Sequence, residues 1–353
     1  MVFKLKRFVA GLTTTFLFAG VVVSTAYASF PGKNGRIAFV FGPDIYTMNP
    51  DGGDVRQLTN LGDNNSASWE SWSADGKKIV FCEFPAPDFV GQLWIMNGDG
   101  TNQHLLLSEP GITEERPSFS PDGNTIIFSR GYDVLADTGR PLIVQLYTIN
   151  VDGSGLRQIT THTTPGVHDF GARYSPEGGT VYFQADQAGG IMDAIYAIDP
   201  AATEYPRQIT PAEIGARRPD VSPDGASIAF QTHCCNPQNQ TIAVISTHGT
   251  DMRELTHNGN DYNSAPHDNN PSWSPDGNWI VFERFAPDFS SSGIYVMKAD
   301  TGEMRRLISL PALRNGNAAS RNSPPTGHKR DKGAAPIELE SGGSLPRWGP
   351  ATD

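Results

Sequence analysis

Five copies of one turn phrase constrain this chain more than any other feature: Ser73-Ala74-Asp75-Gly76, Ser120-Pro121-Asp122-Gly123, Ser175-Pro176-Glu177-Gly178, Ser222-Pro223-Asp224-Gly225 and Ser274-Pro275-Asp276-Gly277. The steps from serine to serine are 47, 55, 47 and 52 residues. Periods of that length belong to repeat architectures, in which no single unit buries its apolar faces alone. Each position of the phrase has a turn role. Proline presets φ, the acidic side chain bonds backbone just ahead, and glycine accepts positive φ.

A short apolar run follows every copy: Ile79-Val80-Phe81, Ile126-Ile127-Phe128, Val181-Tyr182-Phe183, Ile228-Ala229-Phe230 and Ile280-Val281-Phe282. These runs are β-branched and aromatic, bounded by turn residues and too short for helices, so they predict strands. A second run comes after a variable link, as in Leu93 to Met96 and Ile294 to Met297, and hairpin signals such as Asn97-Gly98-Asp99-Gly100 follow. A third run ends in Leu-Thr or Ile-Thr at Ile159-Thr160, Ile209-Thr210 and Leu255-Thr256. With the strand ahead of each turn phrase, such as Pro271-Ser272-Trp273, this makes four antiparallel strands per repeat, the composition of a propeller blade.

The segment from Gly35 to Thr59 holds the last three strands of a blade and lacks the first. Pro346-Arg347-Trp348-Gly349-Pro350 aligns with Pro271-Ser272-Trp273-Ser274-Pro275 and supplies it from the other end of the chain. The expected fold is therefore all-β: a six-bladed β-propeller closed by N- and C-terminal strands in one composite blade, which leaves no long edge strand exposed.

Residues 1–28 carry the pattern of a secretory signal: Lys4, Lys6 and Arg7, a largely apolar run from Phe8 to Val23, and Ala26-Tyr27-Ala28 ahead of a cut before Ser29. The expected organisation is signal peptide 1–28, blades 29–310, a low-complexity insertion 311–344 that acts as a tether, and the closing strand 345–353. The chain carries 27 basic and 38 acidic residues, a formal charge of −11. Loss of the signal takes three positive charges away, giving −14. An acidic surface argues against nucleic acid and anionic membrane as partners. Location in a periplasm or outside the cell, no membrane insertion after cleavage, and a monomer are expected. Cys82 and the pair Cys234, Cys235 fall in the second and fifth blades, so a bond between them would cross the channel. A free, buried Cys82 is expected, with Cys234 and Cys235 either free or bonded to each other.

The phrase Pro271 to Gly277, followed by Ile-Val-Phe and later by Ile-Tyr-Val-Met, resembles the WD40-like repeat of the TolB-like β-propellers. The match runs from about Gly35 to Leu307 and resumes at Pro346. That family's namesake is periplasmic, carries an α/β domain before its propeller and works with a peptidoglycan-associated lipoprotein. Only a few residues separate Ser29 from the first strand, so the α/β domain is not expected. The same propeller is similar to the non-catalytic domain of prolyl oligopeptidases. Those enzymes need an α/β-hydrolase domain with a Gly-x-Ser-x-Gly elbow, which the sequence does not contain.

In such a blade the Ser-Pro-Asp-Gly turn and the hairpin after the second run open on one face, and the longer links open on the other. The chain spends its variety on that second face, in the links Glu83 to Phe89, Arg130 to Pro141, Gln184 to Asp193, Thr232 to Gln240 and Arg284 to Phe289. Binding residues gather on loops held by a rigid frame. The expected site is therefore the rim made by Phe84, Asp88, Phe89, Arg284, Phe285, Asp288 and Phe289, taking a protein or envelope glycan, with no catalytic residue and no cofactor. The two Ala-Pro-Asp-Phe copies could equally be internally packed turns. An alternative sets His168-Asp169 and His267-Asp268, each histidine seven residues before a turn serine, at the channel mouth as metal ligands of a polysaccharide lyase or hydrolase. That alternative places the two histidines in the third and sixth blades, opposite each other. The aspartates of the turn phrase lack the spacing of a calcium loop and are assigned to turn chemistry.

Overall fold

A computed structural model of the chain describes residues 30–62, 64–132, 143–162, 167–186, 193–201, 205–232, 240–259, 264–311 and 346–352. The signal peptide, Cys234 and Cys235, nearly all of the expected insertion, and the middle of several links lie outside these residues.

The first sheet holds β1 (Asn34–Phe41), β2 (Asp44–Met48) and β3 (Arg56–Gln57). The second is β4 (Asn65–Trp72), β5 (Lys78–Pro85), β6 (Gln92–Asn97) and β7 (His104–Leu107). The third is β8 (Ile112–Phe119), β9 (Thr125–Tyr132), β10 (Val144–Asn150) and β11 (Arg157–Gln158). The fourth is β12 (Asp169–Tyr174), β13 (Val181–Asp186), β14 (Asp193–Ile198) and β15 (Arg207–Gln208). The fifth is β16 (Arg217–Val221), β17 (Ser227–Gln231), β18 (Ile242–Ser246) and β19 (Arg253–Glu254). The sixth is β20 (His267–Trp273), β21 (Trp279–Phe285), β22 (Ser291–Lys298) and β23 (Met304–Pro311). Finally β24 (Arg347–Pro350) joins the first sheet, pairing antiparallel with β1 and setting Trp348 opposite Ile37. Six four-stranded sheets closed by the two ends of the chain are the expected propeller.

The turn phrase works as its residues require. In four copies the serine Oγ donates to the aspartate two residues on, at 2.5–2.7 Å, and that carboxylate accepts the backbone N–H two further along at 3.0 Å. The glycines sit at φ between 66° and 79°, where a side chain would be strained. Bonds from serine and backbone outweigh partial burial and hold the carboxyls of Asp75, Asp122 and Asp276 below the usual range. The terminal threonines also have a use. Thr59, Thr160, Thr210 and Thr256 are buried, and each Oγ1 accepts the backbone N–H at or near the start of the neighbouring strand at 2.9–3.0 Å.

No single core exists. Six apolar clusters lie one at each junction between neighbouring sheets, and the last joins Val281, Ile294 and Val296 of the sixth to Ile37, Phe39 and Trp348 of the first. The phenylalanine of each apolar run, from Phe39 and Phe81 to Phe230 and Phe282, is shut from solvent. Cys82 is free and fully buried, and burial pushes its thiol well above the ordinary range. Among the described residues no helix is long and apolar enough to cross a membrane.

Candidate functional site

On the loop face the two Ala-Pro-Asp-Phe copies take related turns and different surroundings. Phe89 and Phe289 both sit at positive φ, 51° and 52°, and both are solvent-exposed, at 50% and 37%. In the second sheet Phe84 turns inward and packs edge-on against Trp69, with centroids 5.3 Å apart. Asp88 is exposed, and the Ala86-Pro87 peptide is cis. In the sixth sheet Phe289 stacks face to face on His267 at 4.6 Å and leans on Phe285 at 5.7 Å. Asp288 caps its own turn through Ser290, whose Oγ donates at 2.5 Å. Arg284 is a structural residue. Its guanidinium grips Asp268 with two bonds of 2.6 and 2.7 Å, contacts Asn258, and lies over the rings of Phe282 and Tyr295. The expected rim thus reduces to Phe89, Phe289 and part of Phe285, with Asp88 beside them.

The proposed metal ligands are not brought together. Counting the composite sheet first, His168 precedes the fourth sheet and not the third, so one sheet stands between it and the sixth. His168 meets Asp186 at 3.1 Å, Asp169 meets His162 at 3.2 Å, and both oxygens of Asp268 are taken by Arg284. Among the described residues no three His, Cys, Asp or Glu side chains gather closely enough to hold a metal. The register that made the two histidines equivalent in sequence gives each its own local partner.

The axis of the ring carries what reading by repeats missed. Each inner strand from β4 to β20 has a bulge four residues before its turn serine or glycine-matched position, where Trp69, Arg116, Gly171, Arg218 and Asn270 adopt φ of 54–61°. A bulge of this kind re-aims a side chain, and these line a cavity on the axis together with Arg173 and Arg347. Four guanidiniums therefore share one space in an acidic protein. Arg116 lies between the rings of Trp69 and Phe170, 5.2 and 4.5 Å from their centres, with Glu115 at 3.7 Å. Arg173 and Arg347 share Asp220, at 3.5 and 3.8 Å. Arg218 donates to the amide oxygen of Asn270. Burial, reinforced by neighbouring guanidiniums, brings Arg173 and Arg218 down to about 9. Glu70, 1% exposed, has no hydrogen-bond partner for either oxygen among the described residues, and its burial outweighs attraction to Arg347 and Arg173 and lifts its carboxyl to about 8.

The opposite end of the axis is stopped. Phe30 packs against clusters of the second to fourth sheets and lines a cavity with Arg173 and Arg347, while the Gly32 N–H bonds Pro275 of the sixth sheet at 3.0 Å. Residues 30–32 thus cross the turn-side mouth. A groove also lies on the turn side, between the fifth and sixth sheets, but its side chains Asp224 and Asp276 are spent on their own turns. The axis holds two buried donors without a hydrogen bond among the described residues, Arg116 Nε and Arg347 Nε, the former with Glu115 at 3.7 Å.

Comparison with known proteins agrees with this architecture. A family model described as "TolB beta propeller domain" matches residues 133–317, just over half of the chain. An uncharacterized protein of Agrobacterium fabrum is 24% identical over 243 residues, covering 69% of this chain and 62% of that protein. The Tol-Pal system protein TolB of Francisella tularensis subsp. mediasiatica is 26% identical over 269 residues, 75% of this chain and 54% of that protein. The chain therefore spans between half and two thirds of the length of these curated relatives. The crystal structure of TolB from Acinetobacter baumannii superposes with a TM-score of 0.64 at 20% identity, over 91% of this chain and 68% of that one.

Proposed function

This chain belongs to the family of TolB β-propeller domains, and from that premise we propose that it is an exported, non-enzymatic scaffold that binds a protein of the cell envelope through its loop face. The observation that carries the reading is the pair of exposed aromatics, Phe89 and Phe289, held at fixed positive φ on a rigid ring. Large, pre-set aromatic side chains give contact area at little entropic cost and are the usual anchors of a binding surface. The signal pattern of residues 1–28 supports export and cleavage before Ser29, hence a periplasmic or extracellular location.

Crosslinking in the exporting cell, followed by purification of the chain and its adducts, tests this. The double variant Phe89→Ala, Phe289→Ala is expected to fold as the parent does and to lose capture about tenfold or more. Equal capture by parent and variant, or recovery of glycan alone, rejects the protein-binding rim.

A further inference from the structure

We propose that the axial channel is a site for one small monovalent anion, held by the guanidiniums of Arg218 and Arg116 with Arg173 and Arg347 behind them. The site is independent of the loop-face reading and lies on different residues.

Charge is the first argument. The chain has a formal charge of −11, yet four arginines from the third, fourth, fifth and first sheets converge on one cavity. Like charges that close, taken out of water, repel one another and lose hydration, so an arrangement of this kind needs compensating negative charge. The carboxylates nearby are already shared or offset. Asp220 serves both Arg173 and Arg347 and also accepts the Trp273 N–H at 2.7 Å, Glu115 sits beside Arg116, Glu283 attracts Arg218, and Glu70, drawn to Arg347 and Arg173, is kept protonated by its burial. Among the described residues the Arg218 guanidinium hydrogen-bonds a neutral amide, Asn270.

Unspent donors are the second argument. Arg347 Nε is buried and makes no hydrogen bond among the described residues, and Arg116 Nε meets Glu115 only as an ion pair at 3.7 Å, beyond hydrogen-bond distance. A guanidinium presents its N–H groups in a planar fork suited to carboxylate or a spherical anion. Backbone is committed to the same end. Arg116 and Arg218 occupy the left-handed region at 54° and 57°, which costs a non-glycine residue of order 1 kcal/mol or more and recurs where structure serves a site.

Size narrows the ligand. The cavity is small, about 20 Å³, against roughly 10–15 Å³ for a single water. Chloride or the head of a carboxylate is of that size. With Phe30 across the turn side, the anion enters from the loop face, either as a free ion or as the carboxylate of a polypeptide reaching inward.

Thermal unfolding of the purified chain, with chloride titrated against the bulky sulfonate MES at constant sodium, tests the site. The midpoint is expected to rise by about 2–4 °C or more and to saturate. Arg218→Gln is expected to abolish most of that rise, and Arg116→Gln to weaken the apparent affinity about tenfold. The exposed Arg305→Gln leaves it unchanged. Since removal of a buried charge can itself stabilise the fold, the anion-dependent increment is read and not the midpoint. Should Arg218→Gln fail to fold, Arg116→Gln decides. A rise that is absent or unsaturated in the parent, or undiminished in the arginine variants, overturns the proposal.

Formate and pentaglycine distinguish the sources. A response to formate equal to that for chloride assigns a free ion. Protection by pentaglycine at far lower concentration, lost when its C-terminus is amidated, assigns a chain carboxylate. The double variant Phe89→Ala, Phe289→Ala keeps the anion response, so failure of the rim and failure of the channel are separable.

Discussion

At the scale of the residue, the repeated Leu-Thr and Ile-Thr endings show how a small side chain can be obligatory. Thr256 is fully buried and its Oγ1 accepts the Ile242 N–H at 2.9 Å. Valine has the same shape without the acceptor, so Thr256→Val should destabilise the chain by about 1–3 kcal/mol, the cost of an unpaired buried N–H, read from chemical denaturation. Glu70 makes the opposite case. Its carboxyl is raised from 4.5 to about 8, so the folded protein keeps a proton that the unfolded chain has lost. The favourable contribution of that protonated form is complete below about pH 4.5, where both states hold the proton, and is lost as pH rises toward about 8. Glu70→Gln removes the dependence. The variant should gain stability over the parent by a few kcal/mol near pH 8 and by little near pH 5, measured as the difference in unfolding free energy across that range.

At the scale of the element, the inner strands explain why some of the molecule could be read from its residues and some could not. Turn phrase, apolar run and threonine ending each have a local physical cause, so the four strands, their order and the closure through Trp348 were legible. Exposure on the loop face was only partly legible: Phe89 and Phe289 do face solvent, but Arg284 is absorbed by Asp268 and Phe84 by Trp69, pairings that need the third dimension. The arginine axis left a trace in sequence, since Arg116 and Arg218 both lie four residues before a turn serine, and Arg173 lies two before one. What hid it was the bulge. In a regular strand alternation decides which face a side chain takes, and an extra residue in the left-handed region resets that alternation without any signature in composition. Arginine, tryptophan and asparagine occupy this position, so glycine, which could have flagged it, appears only at Gly171.

At the scale of the whole molecule, stability is divided among six junctions, and none is spare. The junction between the sixth and first sheets depends on seven residues from the far end of the chain, with Trp348 buried among Ile37, Val281 and Val296. A chain ending at residue 345 leaves the β1 edge unpaired and empties a tryptophan site worth about 3–5 kcal/mol. Its unfolding midpoint is expected to fall by roughly 10 °C or more, with aggregation on heating. Moving residues 346–352 ahead of Asn34 through a short turn should restore it, because the Ala351 N–H already bonds the Lys33 carbonyl at 2.9 Å.

That same bond means that residues 30–34 and 350–352 leave the ring side by side, on the stoppered face. Whatever moors this protein by either extremity, be it a host's membrane-bound leader or an experimenter's sensor chip, leaves the aromatic rim and the channel mouth looking outward. Mooring by an engineered cysteine among the turn phrases would keep that aspect, whereas coupling through the links would blind it.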